Sequence, residues 1–123
     1  MSSKIYLSKR FQREAKKLTR KYPSLAGEIR ELIEQLTHEP HLGNALKRGA
    51  RKIRLAIRSK GKGKRGGGRV ITLVQITHDK ESELLRVNLV SIFDKSKKAT
   101  VNDAELSQMI DDILAELKVI EEE

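Results

Sequence analysis

Hydrophobic positions recur at helical spacing through the first third of the chain. A short alternating run at Lys4–Leu7 predicts an edge strand, and Ser8 is placed to cap a helix that Pro23 ends. The apolar stripe of this helix has spacings of four, three and four residues: Phe11, Ala15, Leu18 and Tyr22. A second helix starts after Ser24 and ends before Pro40, and its stripe consists of Leu25, Ile29, Leu32, Ile33 and Leu36. Two amphipathic helices joined by a tight turn predict a helical hairpin.

The hydrophobic period then changes to two. In residues 52–58 large aliphatic side chains alternate with a second set of residues, three of which are basic. This second set is Lys52, Arg54, Ala56 and Arg58. This alternation predicts a strand with one aliphatic and one basic face. Strands over 69–77 and 84–93 follow, joined by a polar turn at 78–83, and we expect antiparallel hairpins between them. The last strand is apolar on both faces, which is typical of a central position in a sheet.

A terminal helix is predicted by an apolar stripe that follows a capping pattern. Asn102 and Glu105, three residues apart, form a capping box at its start. The stripe then consists of Leu106, Met109, Ile110, Ile113, Leu114 and Leu117. The predicted order is β-α-α-β-β-β-α in a single domain over 1–123. This is an α+β fold in which a small antiparallel sheet packs with helices.

The composition narrows the classes of function. A chain of 123 residues is too short for a two-half dinucleotide-binding fold or a (β/α)₈ barrel, and it has no apolar run that would span a membrane. The absence of Cys excludes thiolate zinc sites and thiol catalysis, and it is typical of a reducing cytoplasm, where we place the protein. No metal site is predicted, because Pro40 keeps His38 and His41 out of the helical spacing of a zinc motif.

The net charge of +9 is segregated along the chain. Residues 47–69 contain eleven Lys or Arg and no acid, and residues 1–22 contain eight cations and one acid. Residues 101–123 carry the opposite charge, with eight acids and one Lys. A cationic block without acids favours phosphate recognition, although a solvated basic loop would also explain it.

The glycine-rich segment 61–68 matches the dinucleotide pattern G-x-G-x-x-G, but a strand follows it where the pyrophosphate site requires a helix. Glycine at this density predicts a flexible connection rather than a helix or a packed strand. One hypothesis is a loop that follows an RNA backbone with its cations, which are Lys60, Lys62, Lys64 and Arg65. The alternative is a mobile basic hairpin loop.

Taken together, these segments resemble the RelE/ParE superfamily of type II toxin-antitoxin toxins, in particular its RelE and HigB-like branch. The resemblance covers nearly the whole chain and rests on the helical pair at 11–22 and 25–36, on 51–55 with 60–71, and on 92–98. It implies a small antiparallel sheet backed by helices and a ribosome-dependent mRNA endoribonuclease that inhibits translation. It further implies that the reaction needs no metal or other cofactor, and that the partners are the ribosome, mRNA and a cognate antitoxin.

The resemblance also implies roles for single residues. In RNA cleavage without a metal, the 2′-hydroxyl attacks the phosphorus, so the protein must accept one proton, stabilise added negative charge and protonate the leaving oxygen. By position in the matched motif, Lys52 is the candidate general base, Arg54 and Arg69 are phosphate clamps, and Lys95 is a phosphate contact or acid. Further RNA contacts are expected from the remaining cations and one aromatic residue: Arg58, Lys60, Lys62, Lys64, Arg65, Phe93 and Lys97.

A second function remains open at this point. RelE-branch relatives carry a base-stacking tyrosine near the C-terminus, whereas this chain has no Tyr after Tyr22 and has Phe93 where many relatives have Tyr. The ParE branch inhibits DNA gyrase and needs no nuclease residues. The alternative is therefore a non-catalytic toxin or a module that binds RNA or DNA. In either case we expect an antitoxin that covers the cations or displaces the terminal helix.

Overall fold

A computed structural model describes residues 3–61, 63–78 and 83–122 of the chain, except the side chains of Lys64, Arg65 and Thr77. Five strands and four helices follow one another in the order β1 (Lys4–Leu7), α1 (Lys9–Lys21), α2 (Leu25–His38), β2 (Asn44–Ala45), β3 (Ala50–Leu55), α3 (Gly63–Gly66), β4 (Gly68–His78), β5 (Glu83–Asp94) and α4 (Asp103–Glu122). The predicted α+β class and the main order of elements are confirmed.

The five strands form one sheet in the order β1-β5-β4-β3-β2. Strands β3 to β5 pair antiparallel, as predicted, and β5 lies between β1 and β4. The two-residue strand β2, which the sequence does not predict, also pairs antiparallel with β3. The predicted antiparallel sheet differs from the structure in one strand pair, since β1 pairs parallel with β5. Parallel neighbours need a long crossover, and the helical hairpin together with β2 to β4 supplies it.

Helices α1 and α2 cover one face of the sheet. Ser8 caps α1 as predicted: its hydroxyl accepts a hydrogen bond from the Phe11 amide at 3.0 Å and donates one to the Val90 carbonyl at 2.9 Å. The two helices pack on the aliphatic residues that the strands direct to this side, among them Ile53, Leu55, Val70, Leu89 and Ile92. This burial of apolar surface is the main stabilising contribution on this face.

Helix α4 covers the other face. The Asn102 carboxamide accepts a hydrogen bond from the Glu105 amide at 2.8 Å, which confirms the predicted cap. Its apolar stripe packs on Ile71, Leu73, Val90 and Phe93 of the sheet. In the part of the chain that the structure describes, no helix is both long enough and apolar enough to cross a lipid bilayer.

Three local predictions differ from the structure. The strand predicted over 52–58 is β3, which ends at Leu55 and is followed by a 3₁₀ turn at Arg58–Lys60. The glycine-rich segment, predicted to hold no helix, contains the single helical turn α3. One turn is tolerated there because the segment is held at both ends, by Lys60 and by Gly67. The predicted polar turn lies partly outside the described residues, since β4 continues to His78 and β5 begins at Glu83.

Candidate phosphate-binding site

A row of three residues crosses the sheet near the end of β3. Arg54 on β3 lies opposite Arg69 on β4, and Arg69 lies opposite Phe93 on β5. Residues directly opposite one another in an antiparallel ladder share a face of the sheet. Phe93 belongs to the apolar cluster under α4, so the row lies on the α4 side. Lys52, two residues before Arg54 on the same strand, belongs to the same face.

Arg69 is unusual because a guanidinium rarely lies in the interior of a protein. The residue is only 4% exposed, and its Nη1 donates a hydrogen bond to the Gly68 carbonyl at 2.9 Å. Burial lowers the pKa of Arg69, and the positive charge of Arg54 lowers it further. Both effects disfavour the charged form of Arg69, and an anion bound beside the two guanidinium groups would oppose both of them.

The neighbouring cations are directed outward. Arg54 is exposed and Lys52 is half-buried. Within the described residues, no carboxylate forms an ion pair with Lys52, Arg54 or Lys95. The positive charge of these side chains is therefore available to a ligand, as the segregation of charge in the sequence indicates.

A groove of about 410 Å³ runs between β3 and α2, on the face of the sheet opposite to this row. Lys52 and Arg54 line its β3 wall, and Glu31 and Gln35 line its α2 wall. Its volume lies in the range of pockets that hold small organic ligands, on the order of 300 to 1,000 Å³.

The turn after β5 brings Lys95 to the start of β4. The Lys95 amide donates a hydrogen bond to the Gly67 carbonyl at 3.1 Å, two residues before Arg69. The side chain of Lys95 is half-buried and that of Lys97 is exposed. The backbone thus brings the predicted Lys95 next to the strand that carries Arg69.

Lys60 is placed differently from the other predicted cations. Its ammonium lies 2.5 Å from Oδ1 of Asp94, and the two side chains are 7% and 2% exposed. Tyr22 donates a hydrogen bond from its hydroxyl to Oδ2 of Asp94 at 2.6 Å, and the Ser96 amide and hydroxyl donate to Oδ1. The charge of Lys60 is therefore satisfied inside the protein.

Two opposing effects act on the pKa of Asp94. Burial alone would raise the pKa of Asp94, but the hydrogen bonds from Lys60, Tyr22 and Ser96 outweigh it and hold that pKa well below its ordinary range. The bond to Asp94, together with burial, raises the pKa of Tyr22. Asp94 is thus a buried carboxylate and Tyr22 a neutral donor at any physiological pH.

Arg58 also has partners within the chain. Its guanidinium pairs with Glu31 at 3.3 Å, and its amide donates a hydrogen bond to the buried carboxylate of Glu28 at 2.7 Å. Hydrogen bonding to Glu31 raises the pKa of Arg58. The role of Arg58 as an RNA contact stays a prediction. Its guanidinium is exposed, but it already pairs with Glu31 of α2.

The remaining predicted contacts are only partly described. Lys62 and the side chains of Lys64 and Arg65 lie outside the described residues. Phe93 is 8% exposed and packs in the apolar cluster under α4, so its ring lies beneath the surface on which Arg54 is found. Stacking of a base on Phe93 would require α4 to shift.

The comparisons with known proteins bear on this arrangement. The sequence matches no protein-family model and no curated protein. A solved structure of a mutant of the E. coli toxin RelE in the free state aligns with a TM-score of 0.51 and 17% identity, over 80% of this chain and 90% of that one. The fold is RelE-like. A likeness at 17% identity establishes the fold alone. The HigB-like branch stays a prediction.

Sequence reasoning missed two members of this region of the RelE-like fold. Tyr22 was assigned to the apolar stripe of α1, and Asp94 was not given a role, yet both enclose Lys60. The one available signal was an acid directly before Lys95 in a strongly basic neighbourhood. The spacing of residues gives no indication that Tyr22 and Lys60 meet at Asp94, because 72 positions separate Tyr22 from Asp94 and 34 separate Lys60 from it.

Proposed function

We propose that the protein is the toxin of a type II toxin-antitoxin system and an endoribonuclease that cleaves mRNA on the ribosome without a metal or other cofactor. The observation that carries this proposal is the buried Arg69 facing Arg54 across two strands. Two adjacent guanidinium groups with a cationic surround favour a phosphate, and the RelE-like fold supports a toxin.

The residues divide the chemistry as follows. Arg54 and Arg69 bind the scissile phosphate and stabilise the extra negative charge that develops when the 2′-hydroxyl attacks. Lys52, on the same face as Arg54, accepts the proton of the 2′-hydroxyl as a neutral amine, after its own ammonium proton has been lost to solvent. Lys95, next to the start of β4, contacts the phosphate or protonates the leaving oxygen. No cofactor enters these steps.

The same proposal assigns the partners. The ribosome and mRNA are the polyanionic targets, and the surfaces that receive them are the exposed cations of the sheet edge and of α1. A cognate antitoxin neutralises the toxin in the cytoplasm of the producing cell. Co-expression with the product of a small adjacent open reading frame would relieve growth arrest if this assignment is right.

The test is a translation reaction with purified protein, followed by mapping of the mRNA ends. We expect cleavage within the translated message, and we expect Arg54→Ala or Lys52→Ala to reduce it about a hundredfold or more, as loss of one oxyanion-stabilising or proton-transferring group does. Lys118→Ala on α4 is the matched control, because it removes one exposed cation far along the chain and should leave cleavage unchanged.

The second candidate is a toxin that binds its target without cleaving RNA. It is favoured by one observation, the burial of Phe93 in a chain with no Tyr after Tyr22, which leaves no aromatic group exposed on the described part of the sheet. This candidate would be supported if the unmodified protein stopped translation or growth while the mRNA stayed intact. The comparison is made at a dose at which Arg54→Ala has no effect.

A further inference from the structure

The strongest feature outside the proposed phosphate site is the buried cluster of Lys60, Asp94 and Tyr22, to which the exposed Ser96 is hydrogen-bonded through Asp94. It joins three segments that are distant in sequence: the end of α1, the 3₁₀ turn before the glycine-rich loop, and the turn after β5. Besides the contact with Asp94, the Lys60 ammonium lies 3.4 Å from the Gly67 carbonyl and 5.8 Å from the centre of the Tyr22 ring. Lys60 therefore bridges the two ends of the loop.

This cluster also fixes the position of Lys95. Gly67 accepts the Lys95 amide as well as the Lys60 ammonium, and Asp94 directly precedes Lys95. Gly67 in turn cannot move toward β3, since it already lies against the Leu55 carbonyl. Any displacement of the cluster would shift Lys95 and the loop relative to Arg69.

Stability alone is a poor explanation for these residues. A buried ion pair usually contributes no more than apolar side chains of the same volume, because both charges must be desolvated. What a fully hydrogen-bonded pair adds is a unique arrangement of the segments that carry it. The pair also keeps the Asp94 charge from repelling a phosphate that approaches Lys95.

We propose that Lys60, Asp94 and Tyr22 form a positioning clasp that holds Lys95 and the glycine-rich loop at a fixed distance from Arg69. Lys60 then acts within the protein, which is a different role from the RNA contact predicted from the sequence. The geometric part of the proposal is independent of the reaction. Its consequence for cleavage rests on the proposed function.

The geometric part is tested by amide hydrogen exchange on the whole chain. Tyr22→Phe removes the hydroxyl from the clasp, and Tyr6→Phe is the matched control, because Tyr6 donates a hydrogen bond of the same 2.6 Å length to Glu116 away from the loop. We expect Tyr22→Phe to accelerate exchange of the Lys95 and Ser96 amides about tenfold, the effect of one lost hydrogen bond, and Tyr6→Phe to leave them unchanged.

Asp94→Asn removes the charge at nearly constant shape and should accelerate the same amides more strongly. Exchange at Lys95 equal to that of the unmodified chain, or acceleration spread evenly over the sheet, would overturn the clasp in favour of a purely structural role. Should Asp94→Asn fail to fold, Tyr22→Phe retains the ion pair and keeps the test available.

The consequence for function is tested by steady-state cleavage and by RNA binding. We expect Tyr22→Phe and Asp94→Asn to lower kcat about tenfold to a hundredfold with KM changed little, since misplacement of a catalytic group by about 1 Å has this effect. Lys60→Met should be partly rescued by Asp94→Asn, because the double variant leaves no buried charge unpaired.

Two further results separate the hypotheses. Equal loss of RNA affinity in Lys60→Met and in the double variant would identify Lys60 as an RNA contact and overturn its positioning role. If the unmodified chain does not cleave RNA at all, the proposed function fails. The exchange rates at Lys95 still decide whether the clasp exists.

Discussion

Arg69 and Lys60 both have largely buried side chains, yet they meet opposite kinds of neighbour. Arg69 lies opposite Arg54, and its pKa is lowered by burial and by that neighbour's charge. Lys60 contacts Asp94 at 2.5 Å, and its charge is matched inside the protein. Two guanidinium groups side by side form a binding site for an anion, whereas an ion pair between a cation and a carboxylate stabilises the arrangement of the chain itself.

Gly67 is a residue whose identity the structure constrains closely. A Cβ atom at this position would overlap the Leu55 carbonyl oxygen and would lie 3.0 Å from the Gly63 carbonyl oxygen. We expect Gly67→Ala to lower the free energy of unfolding by about 1 to 3 kcal/mol, the usual effect of overpacking, as measured by urea denaturation.

Gly27→Ala on α2 serves as the control for that measurement. A Cβ there meets only Nη2 of Arg30 at 3.8 Å, so Ala should leave stability unchanged or raise it by up to about 1 kcal/mol. Equal unfolding midpoints for the two variants would show that the loop yields at Gly67 and that the close approach to Leu55 is not required.

The sequence allows the cations of the site to be predicted but not their surroundings. Alternation along 52–58 is enough to place Lys52 and Arg54 on one face of a strand. Three consecutive glycines, 66–68, look alike in the sequence. In the structure Gly67 is distinguished by its close approach to the Leu55 carbonyl oxygen, which no local pattern indicates. Such contacts join residues that no local pattern relates.

At the scale of elements, α4 is tied to the remainder of the molecule by its acidic residues. Its carboxylates pair with groups on five other segments, which are the Lys47 and Arg48 turn, Lys98, Arg10 on α1, Tyr6 on β1 and Arg86 on β5. The sequence predicts the helix, its cap and its acidic face. It does not predict the partners, since their positions follow from the sheet order and from the parallel pairing of β1.

The contact between β1 and α4 makes stability depend on alkaline pH. Burial, together with the hydrogen bond to Glu116, raises the pKa of Tyr6 to about 12, so the folded state keeps a proton that the unfolded chain loses near pH 10. The stabilisation is complete below pH 10 and is lost as the pH rises toward 12. We expect the unfolding free energy to fall over this interval, and to fall less in Tyr6→Phe.

Comparison of the two proteins by urea denaturation at pH 8 and pH 11 measures this effect. Tyr22, whose pKa is also raised, remains in both and cancels in the difference, as do the lysines. An identical loss of stability in the two proteins between these pH values would contradict the assignment to Tyr6.

At the scale of the whole molecule, the net charge of +9 describes the surface poorly. The acids of α4 are largely neutralised within the fold, whereas Lys52 and Arg54 form no ion pair with any carboxylate in the described ranges. The cations that can bind a partner are therefore concentrated on surfaces such as the one that carries Lys52 and Arg54. Binding of a polyanion should depend on where a charge lies rather than on the total.

The salt dependence of RNA binding distinguishes local from total charge. Arg54→Ala and Lys118→Ala each lower the net charge by one, and both side chains are exposed. If Arg54 contacts a phosphate, its loss reduces the slope of log K against log salt concentration by about 0.7 for single-stranded RNA, because fewer counterions are released. Lys118→Ala should leave the slope unchanged. Equal slopes for the two variants would mean that the RNA responds only to net charge and that Arg54 makes no specific phosphate contact.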